Sequence, residues 1–224
     1  KYEQTVTTTW KLAFRQVRGQ SRASSRLLDF SVQLDPDRIP FELIELGAVH
    51  ISWYVLLKLR FGGSVHDLLQ PLADYSLIRI DSDDHSYSIH GLVQKVIRNG
   101  MWKRTRRNWT TRAINALNAA FPYIEFDNWT LCDRLTSHAI VAERWSREYG
   151  VETEEAGRLF NQSGCYLNER ARYHEALPLF ERALAITEKA LGPEHPDTGI
   201  SAGNLAGIYE SLSRFDDAAP LLRR

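Results

Sequence analysis

The hydrophobic pattern of the N-terminal part of the chain is helical, then briefly strand-like, then helical again. Trp10, Ala13, Phe14 and Val17 fall at i, i+3, i+4 and i+7 behind the hydroxyls of Thr7, Thr8 and Thr9, which predicts a capped amphipathic helix. Ser21 can cap a second helix, in which Leu27, Leu28, Val32 and Leu34 face inward until Asp35, Pro36 and Asp37 stop it. Pro40 suits the first turn of a short third helix reaching Leu46, because the N–H it lacks has no helical partner there. A further apolar helix is broken by Gly62 and Gly63, and Ser64 with Asp67 makes an S-x-x-D start for a helix carrying Leu68, Leu69 and Leu72 on one face. Pro71 in that stretch removes a helical hydrogen bond at a cost of roughly 3 kcal/mol, so a kink or a later start is expected. Residues 77–80 and 86–89 then read as two short strands around the turn-rich Asp81, Ser82, Asp83, Asp84 and His85, a β-hairpin. Val93, Val96, Ile97 and Gly100 restore the helical period, which leaves His90 at a strand-to-helix junction.

Further on, Trp109, Ala113, Ala116, Leu117 and Ala120 form one apolar helical face, with Lys103, Arg104, Arg106, Arg107 and Arg112 on the solvated side. After a loop through Phe121 and Pro122 to Asp127, Leu131, Leu135, Ala139, Ala142, Trp145 and Tyr149 make a second stripe that Gly150 should stop. An internal repeat follows. Tyr173, Ala176, Pro178 and Leu179 recur 42 residues later as Phe215, Ala218, Pro220 and Leu221, while Asn161, Gly164 and Tyr166 match Asn204, Gly207 and Tyr209 at a spacing of 43. That difference implies one extra residue in the first inter-helix turn. Gly164, Ala176, Gly207 and Ala218 are small enough for the helices of a hairpin to approach, and Tyr166, Leu177, Phe180 and Leu184 fill between hairpins, as in tetratricopeptide-type repeats.

Composition limits what such a chain can do. With 224 residues, 43% hydrophobic and 25% charged, it is long and apolar enough for a core, and 28 basic against 28 acidic residues leave no net field to recruit nucleic acid or anionic membrane. The longest apolar run, residues 48–59, contains His50 and Lys58 and is too short to span a bilayer. Cys132 and Cys165 are far apart without metal-type spacing, which points to a reducing, cytoplasmic setting. Met101 is the single methionine and no signal pattern stands at the amino end, so a piece of a longer protein is expected. No G-x-x-x-x-G-K-[ST], H-E-x-x-H or placed nucleophile triad occurs, and Glu152, Glu154 and Glu155 suit the amino end of a helix. Catalysis within the chain is not expected. The helix over residues 64–75 has no Arg or Lys and carries Asp67 and Asp74, which argues against reading DNA.

Helices followed by a two-stranded wing make a winged-helix arrangement. WKLAF, SSRLLDFSVQLDPDRIPFELIE, DYSLIRI and YSIHGLVQKVIR resemble, in order and spacing, the winged-helix part of the NB-ARC module of STAND-type signalling ATPases. In that family the wing ends in a Met-His-Asp-like motif whose histidine approaches the β-phosphate of ADP. Here the triplet is Ile89, His90 and Gly91, so the resemblance implies a nucleotide-sensing His90 and loses the aspartate. From the residues alone His90 reads instead as a histidine satisfied by a backbone carbonyl where the strand ends, and it is the resemblance that points to a sensor. The resemblance also implies ADP or ATP in the intact protein only, bound by a nucleotide-binding domain of the same chain. The connector ALGPEHPDT, residues 190–198, resembles the repeats of kinesin light chain and of STAND proteins with the same repeat class. By that likeness Asn161 and Asn204 line a groove for an extended peptide, the alternative being that they cap or cross-link neighbouring helices.

The expected architecture is mainly α: a winged-helix regulatory domain with a small β-hairpin wing over residues 1–101, a helical connector over 102–150, and an α-α tetratricopeptide-type superhelix over 151–224. The expected function is that of the regulatory and sensor part of a signal-transduction ATPase, closed over ADP, with a protein or peptide ligand on the repeats and a possible homo-oligomer on activation. A plain adaptor and a winged-helix transcription regulator are the alternatives.

Overall fold

A computed structural model describes the backbone of residues 2–223 and the side chains of those residues except 2–9 and 11. Among the described residues, twelve α-helices and one three-stranded sheet fall into two compact units, Lys1–Ala120 and Phe121–Arg224. The boundary lies inside the segment read from sequence as a connector. The chain is mainly helical with one small sheet, as its periods require.

The first unit is organised around α2 (Arg22–Ser31), which touches α1 (Tyr2–Gln20), α3 (Phe41–Ile51), α4 (Trp53–Arg60), α5 (Val65–Ala73) and α7 (Lys103–Ala120). The Ser21 hydroxyl caps α2 by accepting from the Ser24 amide at 3.1 Å. Leu27, Leu28, Phe30, Val32 and Leu34 are fully buried. α1 begins at Tyr2, ahead of the expected caps at Thr7, Thr8 and Thr9, whose side chains lie outside the described residues.

A helix buried nearly all round must satisfy its own polar groups. The Ser31 hydroxyl donates to the Leu27 carbonyl at 2.7 Å, so its lone pairs accept from the Tyr87 hydroxyl at 2.5 Å. Tyr87 is completely buried, and that burial pushes its phenol far above the usual range, which keeps it a donor. An unmade bond here would cost about 1–3 kcal/mol. The bond fastens β3 (Ser86–Ile89) to α2.

β3 pairs antiparallel with β2 (Ile78–Asp81), Ile78 opposite Ile89 and Asp81 opposite Ser86, which is the expected hairpin. It also pairs with a strand the sequence does not announce, β1 (Ile39–Pro40), giving the order β1-β3-β2. Pro40 is tolerated because β1 is an edge strand. Pro40 therefore precedes α3 instead of opening it, and α3 runs past Leu46 to Ile51. The unforeseen break at Ser52 separates α3 from α4, with the Ser52 hydroxyl accepting from the Tyr54 amide at 3.2 Å. Gly47 brings α3 against α7: a Cβ there would stand 2.7 Å from the Cβ of Ala116. The capping box of α5 is formed, with the Asp67 amide donating to Ser64 at 3.1 Å and the Ser64 amide to the Asp67 carboxylate at 2.9 Å, and this second bond lowers the Asp67 pKa. α5 starts directly after that cap, so Pro71 does not delay it and lies within the helix. α6 (Gly91–Asn99) follows β3, and the expected face of α7 is buried from Trp109 to Ala120.

The second unit contains α8 (Trp129–Tyr149), stopped by Gly150 in the left-handed conformation as expected, then α9 (Glu154–Glu169), α10 (Tyr173–Leu191), α11 (Pro196–Ser211) and α12 (Phe215–Leu222). Glu154 and Glu155 do sit in the first turn of α9, but Glu152 instead pairs with Lys189 and with Arg182 at 3.4 Å, which lowers its carboxyl pKa. Arg182 is buried and also donates to the Ser146 hydroxyl at 3.2 Å, tying α10 to the end of α8.

The repeat is gapless, which corrects the spacing of 43 read from the sequence. The turn after α9 has Ala171 at φ 56° and the Arg172 amide on the Leu167 carbonyl, and the turn after α11 has Ser213 at φ 58° and the Arg214 amide on the Tyr209 carbonyl, each pair 42 residues apart. Caps Thr153 and His195 keep the same interval, as do the ion pairs Arg172–Glu175 and Arg214–Asp217, both at 2.8 Å. Buried positions agree: Phe160 with Ala202, Ser163 with Leu205, Gly164 with Ala206 and Tyr166 with Ile208. There is no extra residue in the first turn, and Gly207 is the counterpart of Cys165. A Cβ on Gly164 would come within 2.8 Å of the Phe180 ring, whereas one on Gly207 would meet nothing within 4 Å.

Two outcomes follow for the 224-residue chain. In urea unfolding, Gly164→Ala should lose about 1–3 kcal/mol through overpacking, whereas Gly207→Ala should gain about 0.5–1 kcal/mol from helix propensity; equal effects would contradict the register. Burial, followed by the nearby Glu169 carboxylate, pushes the thiols of Cys132 and Cys165 up to about 11. Since the thiolate is the nucleophile, iodoacetamide at about pH 7.5 should label neither before unfolding, and rapid labelling of the native chain would show that these environments are wrong.

Candidate functional site

His90 follows the last residue of β3 and is the N-cap of α6, with φ −60° and ψ 123°. Ile89 beside it is buried, which anchors the junction, while His90 and Gly91 are exposed. The imidazole Nδ1 accepts from the Leu92 amide at 3.3 Å, so the backbone partner is an amide and not the carbonyl expected from sequence. A nitrogen that accepts carries no proton, which leaves the hydrogen of a neutral ring on Nε2 as a donor. The ring centroid lies 5.6 Å from that of Trp10, tilted by 46°. His90 borders an open depression with Asp37, Arg79 and Ser88. Gly91 places no side chain at the first helical position, so the aspartate of the family motif has no counterpart there.

In the second unit, a groove of about 360 Å³ is lined by Glu154, Arg158 and Asn161 of α9 and by Asp197, Ile200 and Ser201 of α11. Asn161 is among its lining residues and Asn204 is not. The two are brought together directly: the Asn204 Nδ2 donates to the Asn161 Oδ1 at 2.9 Å and also approaches the Cys165 sulfur at 3.6 Å. This is the cross-link between neighbouring helices that the sequence left open as an alternative. The gapless repeat also corrects their equivalence. Gln162, not Asn161, occupies in α9 the place that Asn204 has in α11, and its Oε1 is buried with no hydrogen-bond partner among the described residues. The sequence hid this because an asparagine stands one place away and drew the match.

The basic residues of α7 do not make an isolated patch. The Arg112 guanidinium donates to the Ile51 carbonyl at 2.7 Å and Arg106 to the Met101 carbonyl at 3.0 Å, while Lys103, Arg104 and Arg107 are exposed. Among the described residues, no group of His, Cys, Asp and Glu is placed to hold a metal ion, and no helix is long and apolar enough to cross a membrane.

Comparison with known proteins finds two family matches, one in each half of the chain. Residues 155–224 match the tetratricopeptide repeat family, and residues 15–106 match a domain family of unknown function, DUF7779. A kinesin light chain-related protein of Arabidopsis thaliana is 46% identical over 66 residues, which cover 30% of this chain and 10% of that protein. A nucleotide-binding leucine-rich repeat (NLR)-like protein of the fungus Hyaloscypha variabilis is 32% identical over 131 residues, 57% of this chain and 13% of that one. Nephrocystin-3 of Mus musculus is 33% identical over 66 residues, 30% of this chain and 5% of its own length. The chain thus spans about a tenth of the length of the first two of these relatives. Residues 155–224 form tetratricopeptide repeats, similar to those of kinesin light chain-like proteins and of a class that binds proteins and peptides.

Proposed function

We propose that the chain is the regulatory and sensor part of a STAND-type (NB-ARC) signal-transduction ATPase, with the first unit a winged helix and the repeats a receptor for a protein or peptide. The observation that carries this reading is the likeness to the fungal NLR-like protein, whose 131 aligned residues outrun the repeat match and so take in chain upstream of it. The order helix, short strand, helices, hairpin, with β3 central in the sheet, supports the winged-helix assignment.

In this reading a nucleotide-binding domain of the same longer protein holds ADP, and His90 donates from Nε2 to the β-phosphate while Nδ1 stays on the Leu92 amide. Fixing one nitrogen sets the direction of the other. Gly91 removes the contacts that an aspartate would make, so His90 carries the interaction alone. Ligand capture in the groove of the repeats, with the Asn161 amide pairing with extended backbone while Asn204 holds its Oδ1 from outside the groove, favours an open state that releases the nucleotide contact and permits homo-oligomerisation. The coupling operates through whichever state each ligand prefers. ADP or ATP belongs to the intact protein and not to this part of it.

The adaptor reading keeps two specific observations in its favour. The Asn204–Asn161 bond and the His90 cap each give these side chains a packing role without any ligand.

Purification of the longer protein without added nucleotide separates the two. Wild type should retain ADP, and His90→Ala should lose it or assemble constitutively while remaining folded by circular dichroism. Equal ADP retention by both proteins, or binding by neither, would make His90 structural and leave the adaptor reading in place.

A further inference from the structure

A recess in the first unit, apart from His90 and from the groove of the repeats, is lined by Arg18, Arg22, Ser25, Arg26, Asp29 and Tyr54 and has a volume of about 330 Å³. Its three guanidiniums come from the last turn of α1 and one face of α2, at i, i+4 and i+8 across the Ser21 cap. Each is laid over an aromatic ring: Arg18 over Phe14 at 4.3 Å, Arg22 over Tyr54 at 5.8 Å and Arg26 over Trp109 at 5.9 Å. Stacking occupies the faces of a guanidinium and leaves its N–H edge for in-plane acceptors.

The acid lining this recess is Asp29, which is only 3% exposed. Its carboxylate stands 3.6 Å from Arg18 and 3.9 Å from Arg26, too far for hydrogen bonds, and its Oδ1 has no hydrogen-bond partner among the described residues. Arg22 makes its bond to the neutral Tyr54 hydroxyl, at 3.1 Å. One carboxylate against three guanidiniums leaves an excess of two positive charges, with donors unspent. A desolvated carboxyl is also a poor competitor for them, since burial raises its pKa against the pull of the arginines.

We propose that this recess is a binding site for a phosphate group, held by the N–H edges of Arg18, Arg22 and Arg26 with the Tyr54 hydroxyl beside them. A phosphate dianion matches the excess charge, and its tetrahedral oxygens accept from several guanidinium forks at once, which a single carboxylate cannot do. The group is carried either by a phosphorylated side chain of a partner protein or by a small free phosphate.

Calorimetric titration of the 224-residue chain in low-salt, phosphate-free buffer tests this, using inorganic phosphate and a short phosphoserine peptide with its unphosphorylated twin. Arg22 has no ion pair among the described residues, so Arg22→Gln should fold and bind at least about ten-fold more weakly, while Arg104→Gln on α7 should bind as wild type. A phosphoserine peptide that binds more tightly than inorganic phosphate assigns the site to a phosphorylated protein, and the reverse order assigns it to a small phosphate. The proposal is overturned if neither probe binds at about 10 mM, if the unphosphorylated peptide binds equally well, or if Arg22→Gln and Arg104→Gln behave alike.

Discussion

A phenol in a dry core must find a partner, and the first unit is arranged around the place where Tyr87 finds one. Its hydroxyl meets Ser31 on α2, whose own proton is already given to the Leu27 carbonyl. That fixes β3 against the most buried helix of the unit. Because side chains alternate along a strand, a slip of one residue would turn Tyr87 outward and empty its site, so the bond also sets the register of the sheet. The rest follows from β3: β1 and β2 pair on its two edges, and its end delivers His90 to the start of α6 with Ile89 buried beside it.

Arginine gathers around α2 for a related reason. Asp29 is buried on that helix, and a buried carboxylate needs positive charge close by. Arg18 and Arg26 supply it at distances that leave their hydrogen bonds uncommitted, and aromatic rings hold the guanidinium planes. Cation–π contact thus orders long side chains that would otherwise be free in water, which lowers the entropy lost when an anion arrives.

In the second unit small residues decide what approaches what. Gly164 lets the Phe180 ring close on α9, and Ala206 takes the same place in the next hairpin, where residue 222 is a leucine in place of the phenylalanine. The tight turns at Ala171 and Ser213 repeat this geometry although neither residue is glycine. Repetition of backbone shape is therefore better kept than repetition of side-chain identity, and Asn161 and Asn204 became neighbours across the repeat without being equivalents within it.

Signals that act between near neighbours on the chain were legible without the fold. The caps at Ser21 and Ser64, the stop at Gly150, the hairpin over residues 78–89, the buried stripes of α7 and α8 and the 42-residue repeat all follow from side chains a few places apart or from simple recurrence. The strand-to-helix position of His90 was legible for the same reason. Other features were left to the tertiary structure. A strand of two residues has no period to detect, and β1 exists because β3 offers it a ladder. The break at Ser52 is masked by apolar residues on either side. The register of the repeat's first helix, the Asn161–Asn204 bond across 43 residues and the Ser31–Tyr87 bond across 56 arise where distant groups are forced together in low dielectric. Local propensity carries no information about such meetings, because their energy comes from the water excluded when the chain closes.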